Sequence, residues 1–278
     1  MKNPVIMGIV NVTPDSFSGD GVLLDTDYID RAVVQAEQMV ADGASILDIG
    51  GESSRPGSVA VPAEEELRRV IPVITAIKKK LGAVTMSIDT IKAEVAAQAV
   101  RAGATIINDI FALAGDAAMA SVVAQSRAAI VLMHNRSTVG AVSEKDKIGK
   151  HYDAPIYTDV VVDVAHDLRK RAAAALAAGI ARDKIILDPG IGFGKTPSQN
   201  MALIKHLDRI KALGFPVLMG VSRKSFIGHA LDVPIDERME GTAACITACV
   251  LNGADILRVH DVKFMGRVVK MAAALRDA

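Results

Sequence analysis

The chain of 278 residues has no tryptophan, and aromatic residues make up only 3% of it. Its core therefore has to be aliphatic, and stacking platforms for nucleic-acid bases are scarce. Charge of one sign is lacking too: 32 basic and 32 acidic residues cancel, which removes the electrostatic footprint that nucleic acid or an anionic membrane requires and leaves only local anion sites. Cysteine is limited to two residues. Cys245 and Cys249 in "CITAC" lie four apart in an Ala-rich stretch of helical period, with no second pair or nearby histidine, so they read as small buried hydrophobes and not as a metal or redox pair. No run of about 18 residues is apolar enough to span a bilayer, and "MKNPVIMGIVN" has one lysine and too short an apolar run for a secretory leader. A cytoplasmic protein without membrane or nucleic-acid partners is expected.

What is present is apolar and periodic. With 50% hydrophobic and 23% charged residues, the chain is globular and can bury a large core. Short apolar runs of strand length alternate with segments of helical period. In the first half "PVIMGIVNVT", "SILDIGG", "VTMSIDT" and "TIINDI" each precede a helical stretch; in the second half "AIVLMHN", "KIILDPG", "PVLMGVS" and "DILRVHD" do so. The strands are nearly continuously apolar, as expected when both faces are covered, and Gly43, Gly82, Gly103, Gly179, Gly214 and Gly253 stand where helices should end. Eight strand-helix units in one run favour a single (β/α)8 TIM barrel over residues 1–278. A doubly wound open sheet is the rival, but "NVTPDSFSGDGV" after the first strand lacks its glycine fingerprint.

In such a barrel the site forms at the C-terminal ends of the strands. Polar residues close nearly every apolar run here: Asn11, Asp48, Asp89, Asn108 with Asp109, His134, Asp188, Ser222 with Arg223 and Lys224, and Arg258 with His260. Any one of them could be a helix cap or a satisfied buried group; eight together point to a site. Asp89, Asn108 and Asp188 form a carboxylate and amide group suited to the donor-rich edge of a heterocycle, with a hard metal site as the competing reading. Arg55, Lys224, Arg258 and His260 form a basic zone. Arg258 and His260 read as anion ligands, and Asn11 as an oxygen ligand for magnesium.

The stretch "DPGIGFGKT", 188–196, looks at first like a phosphate loop. A Walker A loop needs a glycine where Pro189 stands, and Gly190, Gly192 and Gly194 give G-x-G-x-G and not G-x-G-x-x-G. It is expected to end the sixth strand, with glycines that admit a flat ring close to the backbone.

Taken in order, "MGIVNVTPDSFSGDG", "DIGGESSRPG", "SIDT", "INDI", "LMH", "DPGIGFGK", "GVSRKSFIG", "EGTAA" and "RVHDV" resemble the motifs of the dihydropteroate synthase family, from residue 6 to about 262. The resemblance implies a pterin-binding enzyme of folate biosynthesis, a target of sulfonamides, that joins 6-hydroxymethyl-7,8-dihydropterin diphosphate to 4-aminobenzoate. It implies that Asp89, Asn108 and Asp188 read the pterin's amino and N-H edge, with Lys224 at its acceptor atoms, Arg258 stacked on it and Met133 in the wall. Ser54, Arg55, Arg258 and His260 would hold the diphosphate, and magnesium would bridge it to Asn11. Phe17, Pro56 and Phe193 would flank the aminobenzoate, with its carboxylate near Ser225. Asp89, Asp188, Lys224 and Arg55 are then the catalytic group, and a homodimer is expected.

The chain departs from the family pattern in three places. Ser54 replaces a common threonine, "SFSGDG" replaces "SFSDGG" and leaves the role of Asp20 open, and "NRSTVGAVSEKDKIGKHYDAP" replaces a short turn after "LMH". Lys195 is expected either to orient its loop or to face solvent. Two further readings fit a pterin pocket on a barrel: a methyltransferase passing a methyl group from methyltetrahydrofolate to a corrinoid, and a non-catalytic pterin-binding protein.

Overall fold

Alternation along each strand sorts the aliphatic residues into two layers. The structure, a computed structural model, describes residues 3–13, 27–53, 58–137 and 157–278. Its strands are β1 (Val5–Asn11), β2 (Ile46–Gly50), β3 (Thr85–Asp89), β4 (Ile106–Asp109), β5 (Ala129–Met133), β6 (Ile185–Asp188), β7 (Leu218–Met219) and β8 (Ile256–Val259). They lie side by side in the order β6-β5-β4-β3-β2-β1-β8-β7, and every named pairing is parallel. Leu187 and Val217 form a parallel bridge between the two ends, with Leu187 N–H donating to Pro216 O at 2.9 Å, and the sheet comes round on itself as a nearly closed (β/α)8 barrel. The barrel expected from the sequence is the fold found.

Helices cover the outside: α1 (Tyr28–Ala41), α2 (Ala63–Leu81), α3 (Ala93–Ala102), α4 (Met119–Ser126), α5 (Val160–Ala177), α6 (Pro197–Lys205), α7 (Leu207–Lys211), α8 (Ser225–Leu231), α9 (Met239–Leu251) and α10 (Val262–Asp277). Leu47, Ile49, Met86, Ile107, Ile130, Leu132, Leu187 and Leu257 pack with these helices in one cluster. Met7, Ile46, Ile106, Val131, Ile186, Leu218 and Ile256 form a second cluster. These residues have the opposite parity on their strands, so they fill the lumen. Both faces of every strand are buried, which is why the strands read as unbroken apolar runs.

The six glycines expected to end helices all have positive φ, from 56° at Gly82 to 127° at Gly103. Three local features differ from the sequence reading. The seventh strand is only two residues long, because Pro216 has no N–H to add to the ladder. An extra helix, α8, lies between β7 and α9, and the helical run after β6 divides at His206 into α6 and α7. Thr196 caps α6: its Oγ1 accepts from Gln199 N–H at 3.3 Å while its own N–H donates to Gln199 Oε1 at 2.9 Å. This capping box is what the "KT" of the apparent phosphate loop encodes. Both cysteines lie on α9 as free thiols, Cys249 buried and Cys245 half-buried, and burial raises both pKa values. Among the described residues no helix is long and apolar enough to cross a membrane.

Candidate functional site

Two residues beyond the apolar plug, the lumen turns polar. Ile46 is followed at the same parity by Asp48, Ile106 by Asn108, Ile186 by Asp188 and Ile256 by Arg258. Arg258 reaches across from β8. Its Nε donates to Asp48 Oδ2 at 2.5 Å and its Nη2 to Asp89 Oδ2 at 2.8 Å. Asn108 Nδ2 donates to the same Asp48 oxygen at 3.2 Å. Register places Asn11, Gly50, Asp89 and Asn108 side by side across β1 to β4, and a side chain at position 50 would press on Asp89 Cβ at 3.4 Å. Asp48 Oδ1 and Asn108 Oδ1 are buried acceptors without a protein donor.

One guanidinium between two carboxylates cannot neutralise both. The remainder shows at Asp89, whose pKa burial pushes up to about 7, against the pull of Arg258. Burial disfavours the charge on Arg258, but Asp48 and Asp89 more than offset this and hold it cationic. Asp188, at the end of β6, is raised by burial and opposed by Lys224 and by the Gly190 N–H, which donates to its Oδ1 at 2.7 Å. Burial lowers Lys224 to about 8, with Asp188 acting the other way. The Lys224 ammonium donates to Ile191 O and sits 4.6 Å from the centre of the Phe193 ring. Carboxylate, ammonium and ring thus meet on one side of the lumen.

The β6 loop reaches this position through its glycines. At Gly190, φ is +66° and an added Cβ would lie 1.9 Å from His134 O. At Gly192, φ is +85° and a Cβ would meet the Lys224 stem at 3.1 Å. The close approach these glycines permit is to the end of β5 and to Lys224, and not simply to a ligand ring. Lys195 does not face solvent: it is 7% exposed, and its Nζ donates to Gly190 O and Phe193 O at 2.9 Å and to His134 O at 3.4 Å. Met133 closes β5 opposite Asp188, and Ser225 opens α8. His260 meets Ser222 Oγ through its backbone N–H at 3.3 Å and through Nδ1 at 3.1 Å.

Three strand-end groups serve the scaffold. Asp109 accepts the N–H groups of Phe111 and Leu113 at 2.9 and 2.7 Å. His134 Nε2 lies 3.3 Å from Asp167 on α5, and burial and Lys195 lower its pKa to about 3, so it is neutral. Arg223 is paired with Asp261 at 2.8 Å through Nε and tied to α9 through Thr242. The base of the second loop is fixed by Arg69, whose Nη1 donates to Gly51 O at 2.9 Å, and by Lys92, which bridges Glu52 and Glu66. Phe17, Ser54, Arg55, Pro56 and Asp20 lie outside the described residues, as does most of the replaced fifth loop.

Asp48, named only as a strand-end polar group, and Lys195 are the two residues to which the sequence assigned no role in the pocket. Asp48 could have been found from the shared pattern of "ILD", "IIND", "IILD" and "ILR", in which an isoleucine is followed two residues later by a polar group. For Lys195 the sequence carries no signal beyond its place after three glycines.

A parallel (β/α)8 barrel with carboxylates, an amide and two cations gathered at the C-terminal ends of its strands has the layout of a barrel enzyme. The sequence matches the family described as "Pterin binding enzyme" over residues 7–260, and the chain belongs to that family. Within it, the curated dihydropteroate synthase of Bacillus subtilis is 48% identical over 274 residues, which are 99% of this chain and 89% of that protein. A Xanthomonas albilineans dihydropteroate synthase solved with 4-aminobenzoic acid superimposes with a TM-score of 0.89 at 42% identity, covering 100% of this chain and 94% of the other. A Yersinia pestis dihydropteroate synthase solved with a sulfonamide drug gives 0.88 at 38% identity over 99% and 95%.

The shared acceptor at Asp48 yields a stability prediction. Asp48→Ala leaves the buried Arg258 and the Asn108 amide short of an acceptor, and should cost about 3–5 kcal/mol in urea unfolding. A loss below about 1 kcal/mol, the net value of an ordinary hydrogen bond, would show that the guanidinium does not depend on it.

Proposed function

We propose that the protein is a transferase that condenses 6-hydroxymethyl-7,8-dihydropterin diphosphate with 4-aminobenzoate, giving 7,8-dihydropteroate and diphosphate in folate biosynthesis. The observation that carries this reading is the lumen floor, where Asp89, Asn108 and Asp188 surround an Arg258 anchored on Asp48, with Lys224 above Phe193. The carboxylates and the amide oxygen accept from the pterin's amino and N-H edge, Lys224 donates to its acceptor atoms, Arg258 stacks on the ring and Met133 closes the wall. Ser54, Arg55, Arg258 and His260 hold the diphosphate. Phe17, Pro56 and Phe193 flank the aminobenzoate, and Ser225 with its neighbouring backbone takes the carboxylate.

The reaction breaks the C–O bond of the pterin's methylene, with the electron pair leaving on diphosphate, and then forms a C–N bond from the amine lone pair. A proton is lost from that nitrogen. Basic side chains stabilise the departing charge. The positive charge left on the methylene is delocalised into the ring, where Asp89 and Asp188 lie. Bond breaking therefore runs ahead of attack. An aniline nitrogen is unprotonated near pH 7, so no general base is required.

Magnesium would enter this site as a partner of the substrate. Asn11 supplies one amide oxygen at the end of β1, and among the described residues no group of three metal-binding side chains is present, so diphosphate oxygens and water would complete the shell. Bound there, the ion would neutralise the leaving group. A homodimer in the cytoplasm is the working form we infer, and exposed Leu251, Met271 and Leu275 on α9 and α10 offer it apolar surface.

The deciding experiment mixes purified protein and magnesium with pterin diphosphate labelled in its bridging oxygen, with and without 4-aminobenzoate. Dihydropteroate should form only with 4-aminobenzoate, and a sulfonamide should compete; no product overturns the reading, and turnover without 4-aminobenzoate would favour another pterin chemistry. Without the amine, label should move to non-bridging positions, and its retention would argue for concerted attack. A second outcome concerns pH. Asp89 accepts best as a carboxylate, so calorimetric affinity for a bare pterin should weaken as pH falls through about 7, approaching tenfold per unit. Asp89→Asn should flatten the profile.

A further inference from the structure

Lys195 is a buried amine that the reaction does not use. Taking an ammonium out of water is unfavourable unless its donors are met, and a residue needed only to fill space here would be apolar. Its three N–H groups have three acceptors, the carbonyls of Gly190, Phe193 and His134. Two belong to the β6 loop and the third follows β5. Gly190, Gly192 and Gly194 all have positive φ, which folds the loop back so that its carbonyls converge, and converging carbonyl dipoles repel unless a positive group sits among them. Burial lowers the Lys195 pKa to about 7; of the charged groups facing it Asp188 favours its charge and Lys224 and Arg136 oppose it, beside a neutral His134. The same loop carries Phe193, whose ring lies under Lys224.

We propose that Lys195 is a positioning residue that holds the Phe193 ring in place for the arylamine by tying the Gly190 and Phe193 carbonyls to the end of β5, an assignment that rests on the aminobenzoate role given above to Phe193. Lys224 also donates to Ile191 O of this loop, but it is anchored in addition at the start of α8 and drawn by Asp188, so the pterin side is expected to change less than the aminobenzoate side when the clamp is removed.

The test is a double-mutant cycle on the active enzyme with Lys195→Met, Phe193→Ala and the pair, reading KM for 4-aminobenzoate, KM for pterin diphosphate and calorimetric affinity for a bare pterin. Lys195→Met should raise KM for 4-aminobenzoate at least about tenfold, as misplacement of a substrate-positioning group does, and change the two pterin values by no more than about twofold, the usual scatter of independent sites. The double variant should be no worse than the poorer single one. Multiplying effects, or an equal loss on the pterin side, would overturn the assignment. Where Lys195→Met does not fold, Lys195→Gln, which keeps two N–H donors without the charge, enters the same cycle with the same criteria and an intermediate effect. An inactive wild-type protein would sink the functional reading; an active one with multiplying effects would sink only the role of Lys195.

Discussion

A (β/α)8 barrel is plugged at one end by aliphatic side chains and has to become polar at the other, and Arg258 is where this change is made. Ile256 still belongs to the plug; two residues later the same face of β8 carries a guanidinium bonded to Asp48 of β2 and Asp89 of β3. No buried carboxylate of this floor could stay ionised alone, since desolvation raises its pKa. Asp48, which also accepts from Asn108, holds Arg258 from below, and Arg258 in turn keeps Asp89 from being raised further. Because two carboxylates share one cation, the floor keeps an appetite for positive charge and for N–H donors. That is the electrostatic demand of a pterin edge and of a cation forming at its methylene.

The opposite wall is made by backbone as much as by side chains. The β6 loop can approach β5 only because position 190 has no side chain, since an added Cβ would strike His134 O. Once that approach is made, three carbonyls face inward, and Lys195 answers them. Asn200 of α6 then fixes the loop from outside, accepting from Gly192 N–H at 2.7 Å and donating to Thr196 O at 2.9 Å. Thr196 caps the helix that follows. Glycines, lysine, threonine and asparagine in one short run thus form a single construction, in which each residue removes an unsatisfied group that its neighbour creates.

Most of the fold was legible in the sequence because strands covered on both faces leave a strong signal, and because glycines mark where six of the ten helical segments stop. The floor was legible in part. Asp48, Asp89, Asn108, Asp188 and Arg258 all stood at the ends of their apolar runs, but Asp48 was given no role in the pocket, although its side chain lies within the lumen. Pro216 could have announced the brevity of β7, but no local pattern announces the split of "KHLDRIK" at His206. Lys195 was ambiguous for a related reason. A lysine after glycines looks like a solvent or phosphate contact, and only the tertiary approach of His134 O shows what its charge is for.

Parity explains why some polar strand ends serve the site and others the scaffold. Met133 faces the lumen in register with Asp188, so His134, the next residue, has to turn outward, where Asp167 of α5 meets it. Asn108 faces inward, so Asp109 turns to the backbone of its own loop. A slip of one residue in either strand would exchange the members of each pair. His134 would then bring its ring among the carboxylates, and Asp109 would add another negative charge to a floor that already has more than Arg258 can offset. The register of the barrel is thus fixed by the apolar plug beneath it, and the plug in this way selects which charges the ligand meets.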